Sequence, residues 1–399
     1  MNKEKPIEEP PGSQILLPIV PAAPRRISPP LKVAVLANLK KNIPLREDAP
    51  PDDNVEYDRE ETVEAILQSL RLVGHKPYFL EADATLLDSV RKTKPQFCFN
   101  ISEGLRGDAR ESHVPAILEM LGVPYSGSRI LANAISLEKV IAKRIWRDRG
   151  LPTVPFQLFH DPNAPLRSTL RFPLFVKPGR EGSGKGVSPT SIVQNEEELR
   201  RETLRIIQDY HQPALVESFL PGREFTVGII GNPPTGRKRA NPDLYASDGF
   251  HYFPVLEIDP NIGVGQGVYG SEAKGIVPGA EGSPVYTCPA DIPANLQKDM
   301  YRLTKSATIA IGADDCSRVD IRLDSEGHPY LLEINTLPGV NPDVSDLCIM
   351  AKAEGMQYAI LINEILNLAC DRCGLPLETA PAAGIGEPKT PSTKDAKKI

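Results

Sequence analysis

Arg318-Val-Asp-Ile-Arg-Leu323, the turn Asp324-Ser-Glu-Gly327 and Leu331-Leu-Glu-Ile-Asn-Thr336 decide how this chain is read. Side chains on a strand alternate between faces. Val319, Ile321 and Leu323 therefore share one face, and Arg318, Asp320 and Arg322 the other. In the second run Glu333 and Asn335 share a face, and Leu332 and Ile334 are expected on the core side. The intervening residues are turn chemistry, so the two runs read as a hairpin. Paired in register, Asp320 falls near Glu333, with Asn335 one step on. Two carboxylates and an amide oxygen on one face make a hard-oxygen site suited to Mg2+, which shares its coordination with phosphate. Arg318 on the same face is placed to steady charge on a transferring phosphoryl group.

A glycine-rich segment lies upstream, Lys177-Pro-Gly-Arg-Glu-Gly-Ser-Gly-Lys-Gly-Val187. It nearly spells a P-loop, but Gly186 stands where Ser or Thr should hold the metal, and a P-loop must open a helix. The β-branched residues and Pro189 that follow argue for a turn between two strands. Bare amides in such a turn still suit phosphate oxygens. Gly265-Gln-Gly-Val-Tyr-Gly270 matches a dinucleotide fingerprint by letter, yet neither follows a clear strand nor opens a helix, and reads as a flexible loop. Glu217 and Glu224 flank a turn between two apolar strands. Lys139 and Lys143 are four apart on one helix face, and Lys274 sits in a glycine-flanked loop.

Further out, the chain alternates strand and helix. Strands are expected at 31–37, 77–80, 96–101 and 124–126, with helices at 60–73, 84–92 and 111–121, the pattern of an open parallel sheet. A helix at 137–149 leads into strands at 153–158, 173–178 and 186–193, a helix at 195–209, and strands at 213–219 and 223–231. A helix at 296–311 precedes the hairpin, and a last helix spans 357–370. The fold class is thus an α/β N-terminal domain over 31–130, followed over 131–375 by α+β domains with antiparallel sheets, split near 215–220. Residues 1–30 and 376–399, rich in Pro and charge, are expected to be disordered tails.

Composition excludes more than it assigns. The 399 residues carry a net charge of −6, which gives no general pull toward nucleic acid or an anionic membrane. No apolar run approaches the ~20 residues that span a bilayer. Six cysteines without a spacing framework read as reduced thiols of a cytoplasmic protein, and Cys370-x-x-Cys373 has no second pair to complete a zinc site.

In order along the chain, these segments resemble the D-alanine–D-alanine ligase family of the ATP-grasp superfamily. The matches are Ser136-Leu-Glu-Lys139, Phe172-Pro-Leu-Phe-Val-Lys-Pro178, Arg180-Glu-Gly-Ser183, Val216-Glu217 to Gly222-Arg-Glu224, Glu272-Ala-Lys274, Arg318-Val-Asp320 and Leu332-Glu-Ile-Asn-Thr-Leu-Pro-Gly339. The resemblance implies a pre-ATP-grasp domain ahead of the ATP-grasp domains, and an ATP-dependent carboxylate–amine ligase acting through an acyl-phosphate. Lys139 and Lys177 would hold ATP phosphates, and Glu217 and the backbone near Leu220 would read adenine. Glu224 would take the ribose, and Lys274 would reach the phosphates from the opposite side. The loop of Ser183 and Gly184 would close over them. Asp320, Glu333 and Asn335 would bind two Mg2+ ions, with Mn2+ as the substitute, and Arg318, Ser183 and Gly339 would serve the acyl-phosphate and tetrahedral intermediate. The partners implied are amino-acid or peptide substrates and, as an assembly, a homodimer.

The departures concern the substrate. The family's first strand leads into a glycine-pair loop with a glutamate that grips the first D-alanine. Here Leu36-Ala-Asn-Leu-Lys-Lys-Asn42 opens a long insert to Asp58. Gly275 stands where the family has a tyrosine. Asn100, Glu103, Arg106 and Arg110 are the candidates for replaced substrate contacts. D-Alanyl-D-alanine is the reference product. The alternatives are a ligase for another amino acid or small peptide, and an ATP-binding regulatory protein without catalysis.

Overall fold

The computed structural model describes residues 19–44, 49–237 and 239–376. Its first sheet has the order β2-β1-β3, with β1 Lys32–Ala37, β2 Lys76–Glu81 and β3 Phe97–Asn100, all parallel. Val33 to Ala37 are buried without alternation, as expected of a strand covered on both faces. The covering helices are α1 Glu60–Leu72, α2 Leu86–Thr93 and α3 His113–Leu121. The strand expected at 124–126 is a single bridge from Tyr125 to Cys98.

Helix α4 spans Ile130–Leu137 and α5 Lys139–Asp148, where one helix from 137 to 149 was expected. The chain leaves helical geometry at Glu138 (φ −82°, ψ 84°). That break lets the Lys139 amide donate to Gly179 O (3.1 Å), tying α5 to the glycine-rich loop.

The second sheet, order β4-β7-β5-β6, is antiparallel: β4 Phe156–Phe159, β5 Leu174–Pro178, β6 Ile192–Val193 and β7 Ala214–Ser218. Helix α6 Glu196–Tyr210 packs on it. The strand expected at 186–193 shrinks to β6, because Pro189 starts a short 3-10 turn instead.

The third sheet has six strands. β8 Glu224–Gly231 runs beside β12 Cys316–Leu323, which pairs with β13 Pro329–Asn335. On the other side of β8 lie β9 Phe250–Tyr252 and β10 Leu256–Asp259, and β11 Val285–Thr287 extends β10. Helix α7 is the single turn Ser271–Lys274, and α8 Ala294–Ile311 covers the sheet. The chain therefore crosses from one sheet to another between Glu217 and Glu224, rather than forming a hairpin there.

Two helices close the chain, α9 Asp346–Ala353 and α10 Tyr358–Arg372. Every residue of α10 from Ile360 to Asp371 is buried, the mark of a helix enclosed on all sides. It shares one apolar core with β1, α1 and α9, and Asn363 Nδ2 donates to Ser69 O on α1 (2.8 Å). The N-terminal domain and the C-terminal end thus fold against each other.

The expectation of a disordered segment through residue 30 is corrected from Ile19 onward. Asn367 accepts from the Ile27 amide (3.3 Å) and donates to Arg25 O (2.8 Å), and Ser28 is fully buried. Capture by α10 offsets the ordering entropy of this proline-rich stretch. Residues 1–18 and 377–399 of the two expected tails lie outside the described residues. Among the described residues no helix is long and apolar enough to cross a membrane.

Asp315 joins the parts. Its buried carboxylate accepts from Gly127 N (2.9 Å), Asn232 Nδ2 (2.9 Å) and Arg372 Nη2 (2.7 Å). Arg372→Ala leaves that carboxylate without its charge partner, and the expected loss is about 3 kcal/mol. A urea midpoint within error of the parent would show that this junction does not support the fold.

Candidate active site

The β12–β13 ladder pairs Asp320 directly with Glu333 and Arg318 with Asn335. The expected register is therefore observed, with one correction. A bulge follows Asp320, so Ile321 pairs with Leu331 and Leu332 is left over. Leu331 and Ile334 enter the core, whereas Leu332, expected there, lines a cavity beside Glu333. An extra residue in one strand reverses the alternation locally.

Charges converge on these two carboxylates. Thr226 on β8 donates to Asp320 Oδ1 (2.6 Å), and Arg318 Nε and Nη2 reach Asp320 at 3.2 and 3.3 Å. Arg318 Nη1 holds Asp346 Oδ2 (2.6 Å). Lys139 Nζ lies 3.4 Å from Glu333 Oε2. Burial alone would raise Glu333, yet Lys139, Lys177, Lys274 and Arg318 together keep its carboxyl well below the usual range. Asp320 is pushed the other way, chiefly by burial.

Two adjoining cavities meet here. The larger, about 350 Å³, is lined by Lys139, Ser183, Arg318, Asn335 and Gly339, the smaller, about 80 Å³, by Lys177, Gly184, Leu220, Glu224 and Asp320. Glu333, Lys274 and Tyr269 line both. All the residues singled out in the sequence for nucleotide, metal or catalysis therefore border one continuous region.

Glu217 is held more tightly than its sequence suggests. Lys143 Nζ meets its Oε1 at 2.6 Å and Lys177 Nζ its Oε2 at 2.9 Å. Burial opposes the ionised acid, but the two lysines hold its carboxyl below the usual range. Lys143 is fully buried, and its place on the same helix face as Lys139 was the only signal in the sequence. Glu224 pairs with Arg322 Nη1 (3.0 Å).

The glycine-rich turn departs from expectation in one respect. Two of its amides are already taken by carboxylates from the insert after β1: Gly182 N donates to Glu56 (2.7 Å) and Gly186 N to Asp52 (2.8 Å). Glu56 also receives Arg110 Nη2 at 2.9 and 2.8 Å, with Lys185 Nζ 3.6 Å away. Ser183 has φ +49° and Gly184 φ +70°. A Cβ on Gly184 would stand 2.8 Å from the backbone of Gly270 and Ser271. Gly184 O accepts from Ser271 N (3.2 Å), which packs the turn against α7. The GxGxxG stretch, read as a flexible loop, thus ends in a one-turn helix that carries Lys274 to the site.

Of the four replacement candidates, only Glu103 lines the large cavity. Asn100 is buried and accepts from Ser102, Arg106 is exposed, and Arg110 is spent on Glu56, Glu181 and Arg180 O. Sequence reasoning missed Glu56, hidden in the insert, and Tyr269, whose ring centroid is 4.7 Å from Lys274 Nζ.

Among the described residues no group of three or more His, Cys, Asp or Glu forms a metal cage. Asp320, Glu333 and Asn335 offer two carboxylates and an amide oxygen, while the Asn335 Nδ2 donor, buried without a partner, is left for an acceptor such as a phosphate oxygen. That set fits Mg2+, which keeps water and phosphate in its shell, better than an ion needing an all-protein cage.

Asp58 provides a pH test. Burial pushes its carboxyl up to about 7, above its value in the unfolded chain. The folded state then binds the extra proton, so stability falls as pH rises from about 4 to 7 and stays lower above that. Asp58→Asn removes this penalty. The variant should gain at least about 1 kcal/mol over the parent at pH 8 and little at pH 4, and equal gains at both pH values would contradict the assignment.

The D-ala D-ala ligase C-terminus family matches residues 145–367. An uncharacterized protein y4sG of Sinorhizobium fredii is 33% identical over 314 residues, covering 77% of this chain and 86% of that one. The D-alanine–D-alanine ligase of Nitrosococcus oceani is 30% identical over 311 residues, with 77% and 88% covered. That of Aquifex aeolicus is 31% identical, with 77% and 94% covered. The fold is similar to the crystal structure of the Bacillus anthracis D-alanine–D-alanine ligase complexed with ATP. The TM-score is 0.62 at 20% identity, over 86% of this chain and 99% of that one.

Proposed function

Because the chain belongs to the D-alanine–D-alanine ligase family, we propose that it is an ATP- and Mg2+-dependent ligase joining one amino-acid carboxylate to the amine of another. The observation that carries this reading is the Asp320–Glu333 pair, set among Lys139, Lys177, Lys274 and Arg318 where two cavities meet. A nucleotide with its base end toward Leu220 and Leu332 brings its terminal phosphates to that junction.

In the proposed reaction a substrate carboxylate oxygen attacks the γ-phosphorus and ADP leaves. The amine of the second substrate then attacks the acyl carbon, phosphate leaves, and the ammonium proton is lost. Such chemistry depends on positioning and charge neutralisation rather than on a protein nucleophile. Lys139, Lys177 and Lys274 supply positive charge to the phosphates. Arg318, held by Asp346 and Asp320, is oriented toward the large cavity without conformational search. Asp320, Glu333 and Asn335 would hold the metal, which supplies charge neutralisation at the transferring phosphoryl oxygens. Ser183 and Gly339 face the same cavity and are assigned to the intermediate.

The relatives' names make D-alanyl-D-alanine the reference product. A ligase for a different amino acid is the second reading. It is favoured by the carboxylates that border the large cavity on its N-terminal side, since Glu56 comes from the insert and Asp58 ends it.

Incubation with ATP, Mg2+ and single or paired D- and L-amino acids should release phosphate and yield a dipeptide mass. Absence of both, with ATP bound, would favour the non-catalytic alternative. Glu333→Gln is expected to lower phosphate release by more than about 100-fold, in a variant that still unfolds in one cooperative urea transition. Normal turnover in that variant would end the metal assignment.

A further inference from the structure

Tyr269 stands where the two cavities meet and lines both, although only 8% of it is exposed. It ends the loop that leaves β10, two residues ahead of α7. Its two ends serve two different cations of the site. The ring face lies under Lys274, with Nζ 4.7 Å from the centroid. The hydroxyl donates to Asp346 Oδ1 (3.0 Å), and Asp346 Oδ2 accepts from Arg318 Nη1 (2.6 Å). Behind it, the Tyr286 hydroxyl is 3.0 Å from that of Tyr269, and the two rings meet edge-on. Tyr286 belongs to β11 and pairs with Ile258 of β10, so the third sheet anchors the arrangement.

The hydrogen bonds run in one direction. Tyr269 spends its only proton on Asp346, so the proton of the tyrosine–tyrosine bond comes from Tyr286. Burial, with Asp346 beside it, drives the Tyr269 hydroxyl well above its usual value, and burial pushes Tyr286 up to about 12. Both therefore remain donors.

The far end of this relay is Arg318. A guanidinium has five N–H groups. Nε and Nη2 each give one to Asp320, and Nη1 gives one to Asp346. Among the described residues one N–H on each terminal nitrogen is left, and Arg318 lines the large cavity. Asp320 grips a single edge, about which the guanidinium plane can rock. Asp346 grips the other edge and sets the plane, provided that its own carboxylate does not turn. The backbone of Asp346 is fixed as the first residue of α9, and the Tyr269 hydroxyl fixes the carboxylate.

Resting on the ligase reading given above, we propose that Tyr269 is a positioning residue with two separable functions. Its hydroxyl holds Asp346 and thereby the plane of Arg318 at the acyl end, while its ring seats Lys274 at the phosphate end. One side chain thus sets the spacing between the cation that meets the acyl oxygen and a cation that meets the transferred phosphoryl group. Reactions driven by positioning are sensitive to errors well below the size of an atom, and locked supporting side chains prevent them. A tyrosine with only a packing role loses stability when trimmed, but does not divide its loss between rate and affinity.

The test uses the full-length chain, with phosphate release measured on D-alanine or on the most active amino acid of the panel above. Tyr269→Phe keeps the ring and removes the hydroxyl. Its kcat is expected to fall at least about 10-fold, while its affinity for the imido analogue of ATP with Mg2+, read by calorimetric titration, stays within about twofold of the parent. Asp346→Asn is a second variant expected to lower kcat in the same way. In an Arg318→Lys background the hydroxyl deletion should cost less than about twofold, since residues that act through one another are not additive. Tyr269→Leu removes the ring as well, and its affinity for the analogue should weaken at least about 5-fold. Trifluorinated phenylalanine at the same position, which keeps the shape and withdraws charge from the ring face, should weaken it too, and urea midpoints control for folding. Parent kcat in Tyr269→Phe, or a loss that persists undiminished beside Arg318→Lys, overturns the hydroxyl's role. Equal analogue affinity in parent, leucine and fluorinated variants overturns the ring's role. A parent that binds the analogue but releases no phosphate with any amino acid sinks the ligase reading instead, and the ring's role is then decided by analogue binding alone.

Discussion

Asp320 and Glu333 sit directly opposite each other on β12 and β13, and like charges in that relation destabilise a sheet. The rest of the site can be understood as the answer to this conflict. Arg318 engages Asp320 from its own strand. Glu333 is countered by Lys139 from α5, Lys177 from β5 and Lys274 from α7, besides Arg318. Three separate parts of the chain thus converge because one carboxylate pair needs them. On the proposed reading the same cations serve the phosphates of a bound nucleotide, so the groups that balance the carboxylate pair are also those the reaction uses.

The sequence made the strand pair legible because alternation and a polar turn are local signals. It made Glu217, Glu224 and Lys274 legible by type but not by geometry. Nothing local shows that Glu217 and Glu224 lie on different sheets, or that Lys143 would be buried against Glu217 (2.6 Å). Leu332 was misplaced for a definite reason: alternation assumes no bulge, and the bulge after Asp320 is set by pairing with β12, which a single strand does not encode. The break at Glu138 was equally invisible, because the interactions that favour it come from Gly179 and Arg180, some forty positions away.

The N-terminal insert was the least readable stretch and the most consequential. Proline-rich and without periodicity, it offered no element to place. Yet Asp52 and Glu56 bind the amides of the glycine-rich turn, while Glu56 and Asp58 border the large cavity. Loops carry function when a rigid scaffold fixes their ends, and here the scaffold is β1 on one side and α1, packed against α10, on the other.

The turn therefore has two masters. Its side toward Ser271 is fixed by backbone contact at Gly184, and its side toward the N-terminal domain by carboxylates on Gly182 and Gly186. A phosphate approaching those two amides competes with Glu56 and Asp52, which are anions already in place. Lys139 and Lys177 are also paired, with Glu333 (3.4 Å) and Glu217 (2.9 Å), but there the phosphate meets full positive charges rather than amides already holding anions. On the proposed reading the charge layout favours phosphate at the lysine end of the site, and the glycine turn, held on both sides, joins the nucleotide and substrate walls. The turn's sequence, so close to a P-loop, suggests the opposite division of labour. What reverses it is the pair of acids supplied by the insert.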